Sequence, residues 1–243
     1  MIKNTISMNV SAIGTDDGKN TYEIHRKWGE KGKKALVIEM YPTISAENCN
    51  ILDVSTMHLL NHANDFGWSE LRVLNLYATV VTGKPTVSEL KDNSLAYIEE
   101  VLEEKDIRAY DIVIAWGNSL TSHQETIKTK IDLLSMLEEK GLSANVKCIT
   151  VDYLNTKTSY GIHPLYLGLH YPKEQWKLIE YPLKDMVTEL EKSVKSNKSV
   201  VKKVSKKTEK KEKATEKVIA VKDGEQDAHN SKKEERAENV KAN

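Results

Sequence analysis

The sequence predicts a three-layer α/β/α fold with a mostly parallel central sheet, on three observations. Four apolar runs, Ala35–Ile38, Leu71–Ala78, Tyr110–Trp116 and Val146–Val151, have the composition of strands buried on both faces. Segments with apolar residues at helical spacing lie between them, and strands that alternate with helices form parallel sheets covered on both sides. The first run ends at Tyr41-Pro42, where proline removes a backbone donor and turns the chain away from helix. A polar loop opens there, and ligands of open α/β sheets sit beyond the carboxyl ends of the strands.

Met1 to Val10 alternates polar and apolar residues (Ile6, Met8, Val10) and predicts an edge strand or hairpin arm. Gly14–Asn20 is turn-rich, Tyr22–Trp28 reads as a return strand, and Gly29–Lys34 is a basic turn into the central strand. After Pro42 a polar loop leads to a helix capped by Asp53 or Ser55. Its apolar face is Met57, Leu59, Leu60 and Ala63, and Gly67 stands at its C-terminal cap. Beyond a loop through Gly83-Lys84-Pro85, Ser94 caps a helix presenting Leu95, Ile98, Val101 and Leu102 on one side. Gly117 ends the third strand. Ser122 and Glu125 have capping-box spacing before Ile127, Ile131, Leu134 and Leu137, and Gly141 closes that helix. Tyr153–Gly161 is a polar loop delivering His163, and Trp176–Ile179 and Met186–Val194 finish the domain.

The 243 residues carry 36 basic and 36 acidic side chains, but the balance hides an asymmetry. Residues 192–243 hold 16 Lys+Arg against 9 Asp+Glu, leaving 20 basic and 27 acidic in 1–191. The expectation is an acidic α/β domain over 1–191 and a Lys-rich tail over 192–243, too poor in apolar residues to order itself. Contact with a polyanion begins at the tail, with Lys202, Lys203, Lys206 and Lys207 as its candidate residues. No stretch has the length of a membrane span, and no apolar segment follows Met1–Lys3 as a signal peptide requires, so a membrane partner is not expected. Cys49 and Cys148 lack disulfide or metal spacing, which points to a reducing, cytoplasmic compartment. His58 and His62, at i and i+4 with Cys49 nearby, form too short a ligand set for zinc. No metal or cofactor is expected.

The stretches EMYPTISAENCNILDVST, VLNLYA, AWG and HPLYL follow one another at suitable intervals. Together they resemble an uncharacterised bacterial and phage family with the pattern LNPSTAD…DDPT…NLFA…AWG…HPLYL, over roughly Tyr22 to Tyr171. That family in turn is distantly similar to the uracil-DNA glycosylase superfamily. The resemblance matches Met40-Tyr41-Pro42 to a water-activating loop and Val73–Thr79 to a base-reading strand. It matches Trp116-Gly117 to a strand-ending turn and His163-Pro164-Leu165 to a closing histidine loop.

That resemblance implies a glycosylase-like fold and a DNA base N-glycosidase, with DNA preferred to RNA as partner. Breaking a base–sugar bond builds positive charge on the sugar and negative charge on the departing base. A carboxylate or amide therefore orients water, and a histidine or backbone donors stabilise the anion. The base must also leave the stack for a pocket that bonds its edge. By resemblance Asn75 reads the base edge, His163 faces its developing charge, and Tyr77 provides stacking. Tyr41, Pro42, Trp116, Gly117 and Pro164 complete the pocket. The sequence departs from the pattern at Tyr41, where the glycosylases have Asp or Asn, and a phenol with a pKa of about 10 is a poor base. Glu39, two residues earlier on the same side of the strand, and Asp53 are the substitutes for the water position. The competing expectations are an inactive descendant that binds nucleic acid or a protein, and a nucleotide hydrolase or sensor.

Overall fold

The four apolar runs become the parallel centre of a seven-stranded mixed sheet in a computed structural model that describes residues 1, 3–86, 88–90, 93–151 and 161–194. In chain order the strands are β1 (Asn9–Gly14), β2 (Thr21–Lys27), β3 (Lys33–Glu39), β4 (Trp68–Asn75), β5 (Tyr110–Ile114), β6 (Val146–Val151) and β7 (Trp176–Glu180). Their spatial order is β1-β2-β4-β3-β5-β6-β7. β3 pairs in parallel with β4 and β5, and β5 with β6. The pairs β1–β2, β2–β4 and β6–β7 are antiparallel. The sheet is thus parallel at its centre and antiparallel at both edges, and a short turn at 15–20 folds β1 back on β2. The N-terminal strand starts at Asn9, later than the alternation from Met1 suggests, and the second apolar run pairs from Trp68 rather than Leu71.

The helices are α1 (Val54–Asn61), α2 (Ala63–Phe66), α3 (Leu95–Leu102), α4 (Gln124–Glu139), α5 (Pro164–His170) and α6 (183–194). Asp53, not Ser55, caps α1, its carboxylate accepting from Thr56 N at 2.7 Å. Gly67 takes the left-handed conformation (φ 70°) that ends α2 and turns the chain into β4. The capping box expected at Ser122 and Glu125 does not form. His123 is the N-cap, its ring held to Thr126 Oγ1 at 2.7 Å, and Glu125 pairs instead with Lys128.

Alternation along the strands sends side chains to two faces. Ala35 and Val37, Leu71 and Val73, and Val113 and Ala115 pack with Leu59 of α1, Ala63 and Phe66 of α2 and Leu167 of α5. Leu36, Ile38, Leu74, Ile112 and Ile114, from the alternate positions, are equally buried. On that opposite face Arg72 of β4 reaches Glu104 just beyond α3, and α3 packs on α4. By contacts the chain divides into Met1–Lys192 and Ser193–Asn243, and the sheet lies in the first unit. Residues 195–243 of the tail and most of the polar loop before His163 lie outside the described residues.

Candidate functional site

The parallel strands run β4-β3-β5-β6 in space, so the chain leaves β3 for its neighbour on one side and later returns to its other side. Such a divergence opens a crevice at the carboxyl ends of the strands, and most of the expected site residues gather there.

Glu39 ends β3 and Asn75 ends β4, and the two are register partners. Parity places both on the face occupied by α1, α2 and α5. Backbone pairing continues past them, from Leu76 N to Glu39 O and from Tyr77 N to Met40 O, each at 3.0 Å. Both side chains are more than nine-tenths buried, at 5% and 3% exposure. Among the described residues Glu39 Oε1 and Asn75 Oδ1 find no hydrogen-bond partner. Burial, reinforced by the charge of Asp53, pushes the Glu39 carboxyl up to about 8.

Asp53 and His163 approach from above as the N-caps of α1 and α5. Asp53 accepts from Thr43 Oγ1 at 2.8 Å as well as from Thr56 N, which ties the loop after Pro42 to the head of α1. His163 Nδ1 accepts from Leu165 N at 3.2 Å, and Pro164 occupies the first turn, where no amide hydrogen is needed. With Nδ1 an acceptor, the neutral ring carries its hydrogen on Nε2. Burial holds the imidazole below its ordinary pKa, opposed by Asp53. Gly117 lies directly under this histidine: its φ is +52°, and a Cβ there would come within 3.1 Å of His163 Cβ and N. A cleft of about 420 Å³ opens alongside, lined by Gly117, Asn118, Ser119, Gly161, His163 and Tyr166, among others.

The remaining expected residues are placed differently. Tyr41 is half-buried at the turn, its phenol pushed above its usual pKa by burial, and Pro42 is buried with its carbonyl accepting from Val81 N. Tyr77 is enclosed, its hydroxyl 3.0 Å from Thr126 Oγ1 on α4. Trp116 is enclosed too, with Lys130 Nζ 5.4 Å from its ring centroid. Tyr77 and Trp116 therefore form packing beneath the crevice and present no open ring face. Lys202, Lys203, Lys206 and Lys207 lie outside the described residues. His62 stacks on Trp176 (centroids 3.9 Å apart) and bonds Asp65, while the His58 ring packs on Gly168. Among the described residues no group of three or more His, Cys, Asp or Glu is placed to hold a metal ion, and no helix is long and apolar enough to cross a membrane.

Two cations that are only 1% exposed escaped sequence reasoning. Arg26 of β2 is 1% exposed and donates through Nη2 to Cys49 O (2.8 Å) and Ile51 O (3.0 Å), clamping the loop that ends in Asp53. Lys130 of α4 donates to Ser119 O at 2.6 Å, and burial pulls it down to about 7. Their signal was positional: Arg26 shares the parity of Ile24, and Lys130 follows Ile127 by three residues.

A family described as "Protein of unknown function (DUF1643)" matches residues 21–165, from the first residue of β2 into α5. No curated protein and no solved structure matches the chain. The match spans more than half of the chain, including Glu39, Asp53, Asn75 and His163, and the protein belongs to the DUF1643 family.

Proposed function

We propose that the crevice handles a nucleobase, and that the protein is a nucleic-acid-directed base N-glycosidase on a three-layer, glycosylase-like fold. One observation carries the reading. Glu39 and Asn75 end adjacent strands, Asp53 and His163 cap two helices over the same face, and the charge of Asp53 acts on both Glu39 and His163. Helices on both faces of a sheet whose parallel strands run β4-β3-β5-β6 support the layering.

In the proposed reaction the C1′–N bond breaks and its electron pair goes to the base. The oxygen of a water molecule bonds to C1′, and the proton it releases balances the charge left on the base. Glu39 keeps its own proton at neutral pH and is the poorer of the two candidates for holding that water. Asp53 takes that role, its carboxylate oriented by Thr43 and Thr56 N. His163 turns its Nε2–H toward the departing base, where a neutral donor stabilises developing negative charge. Asn75 bonds the base edge. The tail lysines add salt-sensitive attraction to the phosphate backbone, favouring DNA as partner.

The test is incubation of the full chain with end-labelled single- and double-stranded DNA carrying uracil and the four normal bases, followed by alkaline cleavage of abasic sites. Strand cleavage that disappears in His163→Ala and Asp53→Asn supports the reading. A second reading, a binding protein without catalysis, is favoured by the half-buried phenol of Tyr41 at the water-activating turn. Retention of DNA at low salt with every base left in place selects it.

A further inference from the structure

The two edges of the sheet are guarded differently. An edge strand presents a row of unpaired backbone groups, and folded chains blunt such edges with charged side chains, proline, bulges or a covering element. β7 carries Lys177 and Glu180 within its five residues. β1, at the other end of the strand order, has no strand on its outer side among the described residues. It carries neither charge nor proline, and the whole run from Asn4 to Thr15 lacks both in a chain that is 30% charged. Its irregularity, between Ile13 and Gly14, falls at the far end and leaves Asn9–Ile13 in even register with β2. Ile6, Met8, Val10 and Ile13 are exposed along this run. Ile6, Met8 and Val10 share one parity, so continuing the strand toward its N-terminus sets all three on one face. Charge stands only at the two ends: Lys3 precedes the run, and Asp16 and Asp17 follow it. Asp17 holds Lys19 at 2.8 Å, whereas Lys3 and Asp16 make no ion pair among the described residues.

We infer that β1 is a self-association edge, to which a second copy of this chain adds antiparallel about a two-fold axis at Val10, joining two seven-stranded sheets into one. The charges choose the partner and its direction. Read backwards along an identical strand, the run brings the Lys3 end of each copy to the Asp16–Asp17 end of the other. A parallel copy sets Lys3 beside Lys3 and acid beside acid, and like charges directly opposite are destabilising. With Val10 facing Val10 near the middle of the uncharged run, Met8 stands opposite Ala12 and Ile6 opposite Gly14. Ile6, Met8 and Val10 of both copies then form one apolar cluster on one face of the joined sheet. On the other face, Ser11 and Ile13 line a cleft of about 360 Å³ together with Glu23 and Arg72, and the added strand lengthens that wall. A contact of this isologous kind closes on itself, so the open edge is consumed and does not propagate into a fibre.

The experiment is sedimentation velocity on the full-length protein from about 1 μM to about 500 μM, a range suited to a contact smaller than a standard interface. Wild type should pass from the mass of one chain to twice that mass as concentration rises. Val10→Lys, at a position exposed in the single chain, sets two like charges face to face on the axis. It should weaken association at least about tenfold while circular dichroism and Tm stay unchanged. Lys3→Glu and Asp16→Lys should each weaken it, and combining them, which exchanges the charges at the two ends, should restore it. Oxidation reads the register in a Cys49→Ser background. Val10→Cys should give a disulfide-linked dimer, whereas Ile13→Cys, which faces Ser7 of the other copy, should not. A single-chain mass at every concentration overturns the inference and leaves β1 to a strand of another protein. A dimer unchanged by Val10→Lys, or one that crosslinks as well through Ile13→Cys as through Val10→Cys, overturns it too, because the contact then lies elsewhere.

Discussion

Replacing Glu39 with Gln removes a titration that opposes folding as the pH rises. The carboxyl ionises near 4.5 in the unfolded chain but holds its proton to about 8 in the folded one. Between those values the native state binds one proton more than the unfolded state, so stability falls with increasing pH. Glu39 thus contributes no penalty below about pH 4.5, a growing one through neutrality and its full penalty above about pH 8. Each unit of separation is about 1.4 kcal/mol. The interval of about 3.5 units therefore corresponds to roughly 5 kcal/mol at most, and to about half of that by pH 6.5. The assay is urea denaturation of wild type and Glu39→Gln in parallel from pH 4 to pH 9, with the difference in unfolding free energy plotted against pH. The difference should be smallest near pH 4 and widen in favour of the variant until it levels off above pH 8. A difference that stays constant across the range would show that Glu39 is ionised when folded. The carboxylate would then need a buried cation, and none acts on it among the described residues.

Lys130→Met should act with the opposite sign. The folded-state pKa of about 7 lies below the ordinary 10.5, so wild-type stability rises between those pH values, and the same denaturation series on the variant should be flat there. Arg72→Met strands Glu23, 4% exposed, without its cation, and should cost about 3–5 kcal/mol in the urea midpoint at pH 7. Gly168→Ala drives a methyl group into the His58 ring and pushes α5 off α1. Thermal denaturation should show a loss of about 1–3 kcal/mol, or several degrees in Tm. Gly117→Ala meets both a positive φ and the underside of His163, so any base release should fall more than stability does, read as abasic-site formation at a temperature where the variant remains folded.

The central strands were legible because a strand buried on both faces leaves an uninterrupted apolar run that needs no partner to be recognised. Glu39 and Gly117 stand directly after such runs, whereas Asn75 was singled out through the resemblance of Val73–Thr79 to a base-reading strand. Asp53 was legible as a cap residue ahead of an apolar face, and His163 through the motif it begins. The cap at His123 was not. Its ring nitrogen does the work usually given to a serine, and nothing in the spacing of Ser122 and Glu125 reveals that. Arg26 and Lys130 were hidden because long cationic side chains are ordinarily solvated. Only the packing of the 49–53 loop and of Trp116 shows that these two are enclosed. The enclosure of Tyr77 and Trp116 also depends on where α4 comes to rest, a tertiary fact that strand composition does not carry.

The place of β2 in the sheet has a consequence for how the chain assembles. β2 precedes β3 in sequence but lies on the far side of β4, so the N-terminal hairpin borders a strand that begins at Trp68. A chain emerging from the ribosome completes β1, β2 and β3 with no adjacent position for the first two to occupy. The hairpin must wait, half its hydrogen bonds open to solvent, until α1 and α2 have carried the chain over and β4 has docked on β3. Loop closure across residues 28–67 then precedes any gain from the β2–β4 pairing. β4 is the strand whose arrival turns two separate pieces into one sheet, and substitutions that slow its docking should lengthen the life of an intermediate with an unpaired hairpin.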